Sequence, residues 1–296
     1  MRRNILAAFY IFLKGTRIMI KRIVTIQDIS CVGKCSLTVA LPIISAMGVE
    51  TAIIPTAVLS THTMFSGFTC KDLTDQIVPI AEHWKKEKFH FDAIYTGYLG
   101  SFEQISIVSK FFEEFKTPDN LIVVDPVMAD NGKLYPAFDE DYAKENAKLC
   151  GKADLIVPNI TEASFMTGLP YKTEYDRSYI LDMLKALAQL GPKYAVLTGV
   201  SFHPDRIGVM GMNCETGETF EYYTERVPAS YHGTGDIFSS TVVGALTRGK
   251  SMPEAFKIAC DYTRETIDYT YRTPGTNSYG VDFEITLPDL VARINR

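Results

Sequence analysis

Short apolar runs rich in β-branched residues alternate along this chain with longer stretches whose apolar positions recur every three to four residues. The first pattern suits strands buried on both faces, and the second suits helices packed by one face. Residues 21–27 (KRIVTIQ) predict the first strand, and residues 34–47 a helix stopped by Gly48. Residues 50–55 predict a second strand. Residues 56–68 (TAVLSTHTMFSGF) have no clean period and predict a polar-aromatic loop of the length that usually carries function. The alternation then repeats: helix 72–88, strand 91–96, helix 102–115, strand 120–124, helix 139–150 and strand 154–157. A short helix with Glu162 in its first turn follows, then helix 176–190 and strand 193–197. Residues 207–214 and 218–224 predict a hairpin around Glu215-Thr216-Gly217. Helices over 234–247, 252–271 and about 287–294 complete the pattern.

Strands alternating with helices imply an α/β fold, a mostly parallel central sheet flanked by helices on both faces. No Pro/Ser-rich linker interrupts it, so residues 19–296 are expected to form a single domain. Arg2-Arg3 and the apolar residues 5–13 resemble parts of a signal peptide, but the apolar run is too short to span a membrane. Lys14-Gly15-Thr16-Arg17 follows it where a small-residue cleavage site would stand. Met19 lies just before the first strand, and residues 1–18 are expected to be an extension outside the fold. In such sheets ligands bind beyond the carboxyl ends of the strands. Asp28, Tyr98, Asp125, Asn159 and Thr198 each fall just after a predicted strand, so five separate stretches bring polar groups to one edge.

Composition narrows the partners. A formal net charge of −5 and no Lys/Arg-rich run argue against nucleic-acid binding. The six cysteines show no C-x-x-C and no zinc spacing, which fits reduced thiols of a cytoplasmic protein. Cys31 and Cys35 read as small packing residues, and His62 as a loop histidine rather than a ligand.

The stretch VPASYHGTGDIFSS, residues 227–240, concentrates the chemistry. Gly233 and Gly235 have no Cβ, so backbone N–H groups there can approach a ligand closely. They stand at a helix start, where amide donors lack partners and the dipole favours an anion. Asp236 adds a carboxylate beside that cradle, the combination needed for phosphoryl transfer to a hydroxyl. Taken alone, the same four residues read equally well as an ordinary glycine turn with a helix-start Asp. Residues 244–251, GALTRGKS, match the P-loop expression, but a P-loop follows a strand and opens a helix. Here the preceding residues are helical, Gly249 suits a helix stop, and Ser251 with Glu254 forms a capping box. Lys250 is therefore expected to leave nucleotide binding alone.

Six motifs in order, TIQDISCVGKCS, STHTMFSGF, TGYLGS, VVDPVM, VPNITEA and HGTGDIFSS, resemble those of the pyridoxal/pyridoxamine kinases of the ribokinase-like superfamily. The resemblance runs from residue 21 to the C-terminal helix. It implies a ribokinase-like fold and ATP-dependent transfer of a phosphoryl group to the 5′-hydroxymethyl oxygen of pyridoxal, pyridoxine or pyridoxamine. Under it, Asp236 is the base, and the amides of Gly233, Thr234 and Gly235 stabilise charge on the moving phosphoryl group. Asp125 and Glu162 match positions around the metal and the ATP phosphates, implying Mg2+ held directly or through water. Read without the resemblance, they are a strand-end Asp before Pro126 and a first-turn Glu complementing a helix dipole. Asn159 and Thr198 match nucleotide-side positions, and residues 225–229 the segment that helps build the adenine pocket. Asp28, Thr63 and Tyr98 match contacts to the pyridine ring; Tyr98 reads otherwise as a half-buried core tyrosine. Many pyridoxal kinases carry serine at the match to Asp28. A carboxylate there would pair with the ammonium of pyridoxamine, so a preference for pyridoxamine is expected. No cysteine directly precedes the GTGD turn, unlike the thiamin-type kinases that use a lid cysteine. The resemblance also implies a homodimer. Two alternatives stay open: a hydroxymethylpyrimidine kinase on the same fold, and a B6-binding protein without catalysis. The intact Asp236, Asp125 and Glu162 argue against the latter.

Overall fold

The computed structural model describes residues 20–273, 275 and 279–295; the extension expected over residues 1–18 lies outside the described residues. Strand β1 (Arg22–Val32) opens with Ile23, Val24 and Ile26 fully buried on alternate faces. Helix α1 (Leu37–Ala46) returns the chain to β2 (Glu50–Thr61), parallel to β1. A short edge strand, β3 (Cys70–Asp72), precedes α2 (Thr74–Lys86). The next units are β4 (Ala93–Thr96) with α3 (Phe102–Phe115), then β5 (Leu121–Val124) with a small hairpin, β6 (Ala129–Asp130) and β7 (Lys133–Leu134). There follow α4 (Glu140–Cys150), β8 (Leu155–Ile156), α5 (Ile160–Thr167), α6 (Arg177–Ala188) and β9 (Tyr194–His203). The antiparallel strands β10 (Arg206–Asn213) and β11 (Thr219–Glu225) lead into α7 (Thr234–Thr247), α8 (Met252–Arg272) and α9 (Phe283–Ile294).

The main sheet has nine strands in the order β11-β10-β9-β8-β5-β4-β1-β2-β3. Its six central strands, β9 to β2, are mutually parallel, and the antiparallel strands sit at the two edges. One face packs Val24, Ile94, Ile122 and Ile156 against α2 to α6. The other packs Ile23, Tyr95, Val123 and Val196 against α1, α7 and α8, with α9 outside them. This is the helix-flanked, mostly parallel sheet that the alternation predicts. Among the described residues no helix is long and apolar enough to cross a membrane, and all six cysteines are unpaired.

Three strand ends differ from expectation. β1 runs on to Val32 and β2 to Thr61, so half of the expected loop 56–68 is strand. Pro55 suggests a strand end because it cannot donate to the ladder, but the register shifts directly after it and pairing resumes at Val58. Beyond Ile26, β1 loses its pairing with β4 and continues with β2 alone, so both strands overhang the sheet. Asp28 therefore lies within a strand, past the edge of the neighbouring sheet. β9 likewise continues through Thr198: Gly199, at φ +70°, is the extra residue of a bulge, and β10 pairs with Thr198 and Val200 on either side of it. The β6–β7 hairpin was not expected, although Asn131-Gly132, at φ +50° and +77°, is the residue pair that a tight hairpin turn favours.

Candidate active site

Strands β4, β5 and β8 stop together, at Thr96, Val124 and Ile156, and the segments after them converge with the overhang of β1 and the start of α7. α7 begins at Gly233, whose φ of +81° only glycine adopts freely. A Cβ there would also collide with the Lys34 carbonyl, so the turn is pressed against the segment before α1. At Gly235 nothing lies within 4 Å of the position a Cβ would take. The first intrahelical bond runs from Ile237 N–H to Gly233 C=O at 3.1 Å. The amides of Thr234, Gly235 and Asp236 have no acceptor among the described residues, and their N–H groups form an open, positively polarised helix end.

Asp236 stands in the first turn of α7, with the Ser36 backbone near enough to its carboxyl to ease the charge. Burial pushes its carboxyl up to about 7, with further repulsion from Asp125 and Asp28. One turn along, Ser239 donates to Asp125 Oδ2 at 2.6 Å. Asp125 is buried, and burial raises its pKa despite that bond. Glu162 faces it from α5, also buried and raised, first by burial and then by Asp125.

Glu162 owes its position to a capping box. Asn159 Oδ1 accepts from the Glu162 amide at 2.9 Å, and Glu162 Oε2 accepts from the Asn159 amide at 2.9 Å. Glu162 Oε1 also accepts from Met128 N–H at 3.2 Å, and Asn159 Nδ2 donates to Ala129 C=O. The Asn159 side chain, expected on the nucleotide side, is therefore used at both of its ends by the fold, as a helix cap and as a donor to Ala129. Thr198, bridged to Asn159, is partly exposed, and its hydroxyl reaches only Pro158 C=O at 3.5 Å.

Asp28 is buried in the β1 overhang. Its Oδ1 accepts from Ser36 Oγ at 2.6 Å and its Oδ2 from Ser30 Oγ at 3.3 Å. Burial raises its pKa and the two serines pull it back. Ser36 thus lies between the two carboxylates, its hydroxyl bonded to Asp28 and its backbone near Asp236, and does so at φ +51°, a strained conformation for serine. Tyr98 is half-buried, its ring 5.4 Å from that of Phe138. Burial, then the charges of Asp28 and Cys70, push its hydroxyl up to about 12. Asp28, Tyr98 and Cys70 therefore border one space. Thr63 is not drawn into it: it is exposed and forms no hydrogen bond among the described residues. Its neighbour His62 is no free loop histidine but 2% exposed. Its ring lies 4.6 Å from that of His232, and its Nε2 meets Tyr279 C=O at 3.0 Å. Lys34 closes the other side, bonding Asp282 at 2.7 Å and Glu284 at 2.8 Å.

No Lys or Arg forms an ion pair with Asp28, Asp125, Glu162 or Asp236 among the described residues. Four carboxylates without a cationic partner among the described residues, linked by repulsion from Glu162 through Asp125 and Asp236 to Asp28, fit a magnesium–phosphate ligand that brings positive charge and open coordination positions. No group of three or more His, Cys, Asp or Glu is arranged as a ready-made metal cage among the described residues. A hollow of about 290 Å³ beside Lys21, Asp92 and Leu246 lies at the amino ends of the strands, away from these groups. The look-alike P-loop is a helix joint: Gly244 lies inside α7, Gly249 has φ +88°, and Ser251 and Glu254 complete their capping box.

Sequence reasoning missed Ser36, Ser239 and the β6–β7 hairpin at this site. The Asn-Gly pair signalled the hairpin. Nothing in a lone serine signals that it will bond a carboxylate more than a hundred residues away.

A family model described as phosphomethylpyrimidine kinase matches residues 40–281. A candidate phosphomethylpyrimidine kinase of Bacteroides thetaiotaomicron is 40% identical, superposes with a TM-score of 0.89, and is matched over 93% of this chain and 96% of its own. A second crystal form of that protein contains pyridoxal. The pyridoxal kinase of Lactobacillus plantarum is 33% identical, with a TM-score of 0.85, over 93% of this chain and 98% of that one. The hydroxymethylpyrimidine/phosphomethylpyrimidine kinase of Bacillus subtilis is 25% identical over 76% of this chain and 79% of its own length.

Proposed function

Because this chain belongs to the phosphomethylpyrimidine kinase family and has the ribokinase-like fold, and is thus a phosphotransferase, we propose that it transfers the γ-phosphoryl group of ATP to the 5′-hydroxymethyl oxygen of a vitamin B6 compound. The observation that carries this reading is the pair of carboxylates, Asp236 and Asp28, on either side of Ser36. Asp236 lies beside an open helix end, and Asp28 lies on the side of the half-buried Tyr98. One suits a hydroxyl about to be phosphorylated, and the other a nitrogen-bearing ring. The pyridoxal kinase of L. plantarum and the pyridoxal in the B. thetaiotaomicron crystal support a B6 compound.

In this reading Asp236 accepts the hydroxyl proton as the oxygen attacks. With its carboxyl raised to about 7, it is a stronger base than an ordinary aspartate and still largely ionised above neutrality. The amides of Thr234 and Gly235, with the glycine turn at Gly233, hold the equatorial oxygens of the moving group. Asp125 and Glu162 hold Mg2+, directly or through water, and the ion supplies charge neutralisation at the phosphates. Asn159 and Thr198 lie on the nucleotide side. Asp28 and Tyr98 hold the ring. Residues 19–296 act as one kinase domain, and the protein works as a homodimer.

The competing substrate is a hydroxymethylpyrimidine, favoured by the family description and the B. subtilis relative. ATP consumption measured with pyridoxal, pyridoxine, pyridoxamine and hydroxymethylpyrimidine, with Asp236→Ala as control, separates them. Turnover of the pyrimidine alone overturns the B6 reading. Tight pyridoxal binding without turnover of any compound overturns catalysis.

A further inference from the structure

The sheet face beneath α7 carries polar side chains where a core should be apolar. Along β1, Thr25 and Gln27 share a face with Ile23, while Val24 and Ile26 point the other way. Tyr95 of β4 shares that face and is the register partner of Thr25. Ser240 of α7 covers it from above. Thr25, Gln27, Tyr95 and Ser240 all have no exposed surface. Gln27 Nε2 donates to Thr25 Oγ1 at 2.7 Å, which satisfies part of the group. Gln27 Oε1, Tyr95 Oη and Ser240 Oγ have no hydrogen-bond partner.

These three atoms are neighbours. The Tyr95 hydroxyl lies near both the Gln27 and Ser240 side chains without bonding either, and the charges of Asp125 and Asp236 reach it as well. None of the three can simply swing into contact. Gln27 is held by Thr25 on one side and by Gly97 on the other, where even a Cβ would come within 2.8 Å of the Gln27 amide. Tyr95 is locked in the core between β1 and β5. Ser240 is fixed in α7 beside Ser239, whose own hydroxyl is committed to Asp125. Buried polar groups in folded proteins are almost always paired, and a site with two to four convergent partners is where internal water is found.

We propose that one internal water bridges Gln27 Oε1, Tyr95 Oη and Ser240 Oγ, and that this node positions the first turn of α7, and with it Asp236, over the sheet. The proton count closes. The water donates to Gln27 Oε1 and accepts from the Tyr95 hydroxyl, and its second proton goes to Ser240 Oγ, whose own O–H is free to turn toward the carboxylates. Gln27, Tyr95 and Ser240 are then positioning residues: they touch neither substrate nor phosphate, and they act through the helix that carries the base. The catalytic part of this inference rests on Asp236 being that base; the water does not.

The test has two arms. A high-resolution crystal structure of the full chain is expected to show solvent density about 2.7–3.2 Å from both Gln27 Oε1 and Tyr95 Oη. Absence of density there, or an anomalous peak at that point after a rubidium soak, overturns the water. Tyr95→Phe removes one partner with little change in volume. It is expected to lose the density and lower kcat about 10-fold, with KM for ATP and for the vitamer within about twofold, because misplacing a reacting group by a fraction of an ångström is felt in the chemical step. Ser240→Ala is expected to give the same split more weakly, and serves if Tyr95→Phe folds poorly. An unchanged kcat in a variant that has lost the density overturns the positioning role, as does a loss confined to KM. If wild type turns over no heterocycle, the proposed activity fails, and the crystallographic arm still decides the water.

Discussion

Replacing Asp236 by Asn should abolish turnover and make the protein more stable. The carboxyl is raised from the ordinary 3.8 to about 7, chiefly by burial and then by Asp125. A raised carboxyl means the folded state binds its proton more tightly than the unfolded chain does. The charged form therefore destabilises the fold fully above about pH 7, and the effect fades as pH falls toward the unfolded value. At ~1.4 kcal/mol per pH unit the upper bound is roughly 4 kcal/mol. Asp236 is not wholly shielded from solvent, which reduces this to roughly 2–3 kcal/mol. Asn keeps the shape while removing the charge that Asp125 repels. At about 2–4 °C per kcal/mol for a protein near this size, Asp236→Asn should melt roughly 5–10 °C higher at pH 8.5 and close to wild type at pH 4.5. Thermal denaturation at the two pH values measures this, alongside kcat, which should fall by about 10²–10⁴ for loss of a general base. A melting temperature at pH 8.5 equal to or below that of wild type would refute the argument that the base is held against an electrostatic cost.

In wild type, kcat/KM for the vitamer should fall as pH drops through about 7, roughly tenfold per unit below it; a flat profile from pH 8 to 5.5 would remove Asp236 from the role of base. Asp28→Ser should lower the ratio of kcat/KM for pyridoxamine over pyridoxal by about 10-fold, the worth of one charge-assisted hydrogen bond, and an unchanged ratio counts against ring-side recognition by Asp28. Gly233→Ala should cost about 10²-fold or more in kcat, because the added Cβ meets the Lys34 carbonyl and moves the anion-binding turn; near-normal turnover would show that the turn tolerates displacement. Lys250→Ala should leave KM for ATP within about twofold, since its glycines belong to a helix joint, and a large rise would reinstate the P-loop reading.

Periodicity was enough to read most of the fold. Helix 102–115 and helix 234–247 begin and end where the sequence pattern puts them, because Ser101 caps the first and the glycine turn starts the second. Strand ends were harder. Pro55 and Gly199 look like punctuation, yet pairing continues past both through a register shift, since a neighbouring strand rather than local propensity decides where a ladder stops. At the site, groups carried by glycine turns and strand ends were legible because backbone constraints leave a local trace. Asp236, Asp125 and Glu162 do come together, as expected. Ser239 was not legible, because its importance lies in a bond to Asp125, 114 positions away, and nothing local marks Ser36 as the partner of Asp28. His62 lies in a loop, as read, but its burial depends on Tyr279 and His232, both far away in sequence, and so left no local trace.

Lys34 sets an order of assembly. Its carbonyl fits against Gly233, its stem against Gly280, and its ammonium bonds Asp282 across 248 positions of sequence. During synthesis the parallel strands can pair as they emerge, each with a recent neighbour. The turn that holds the phosphoryl group cannot be clamped until nearly the whole chain has left the ribosome, because the segment that fastens Lys34 comes last. Contacts this distant in sequence form late, after loop closure has been met elsewhere. A nascent or C-terminally clipped chain would thus hold a formed sheet with an unfastened phosphate turn.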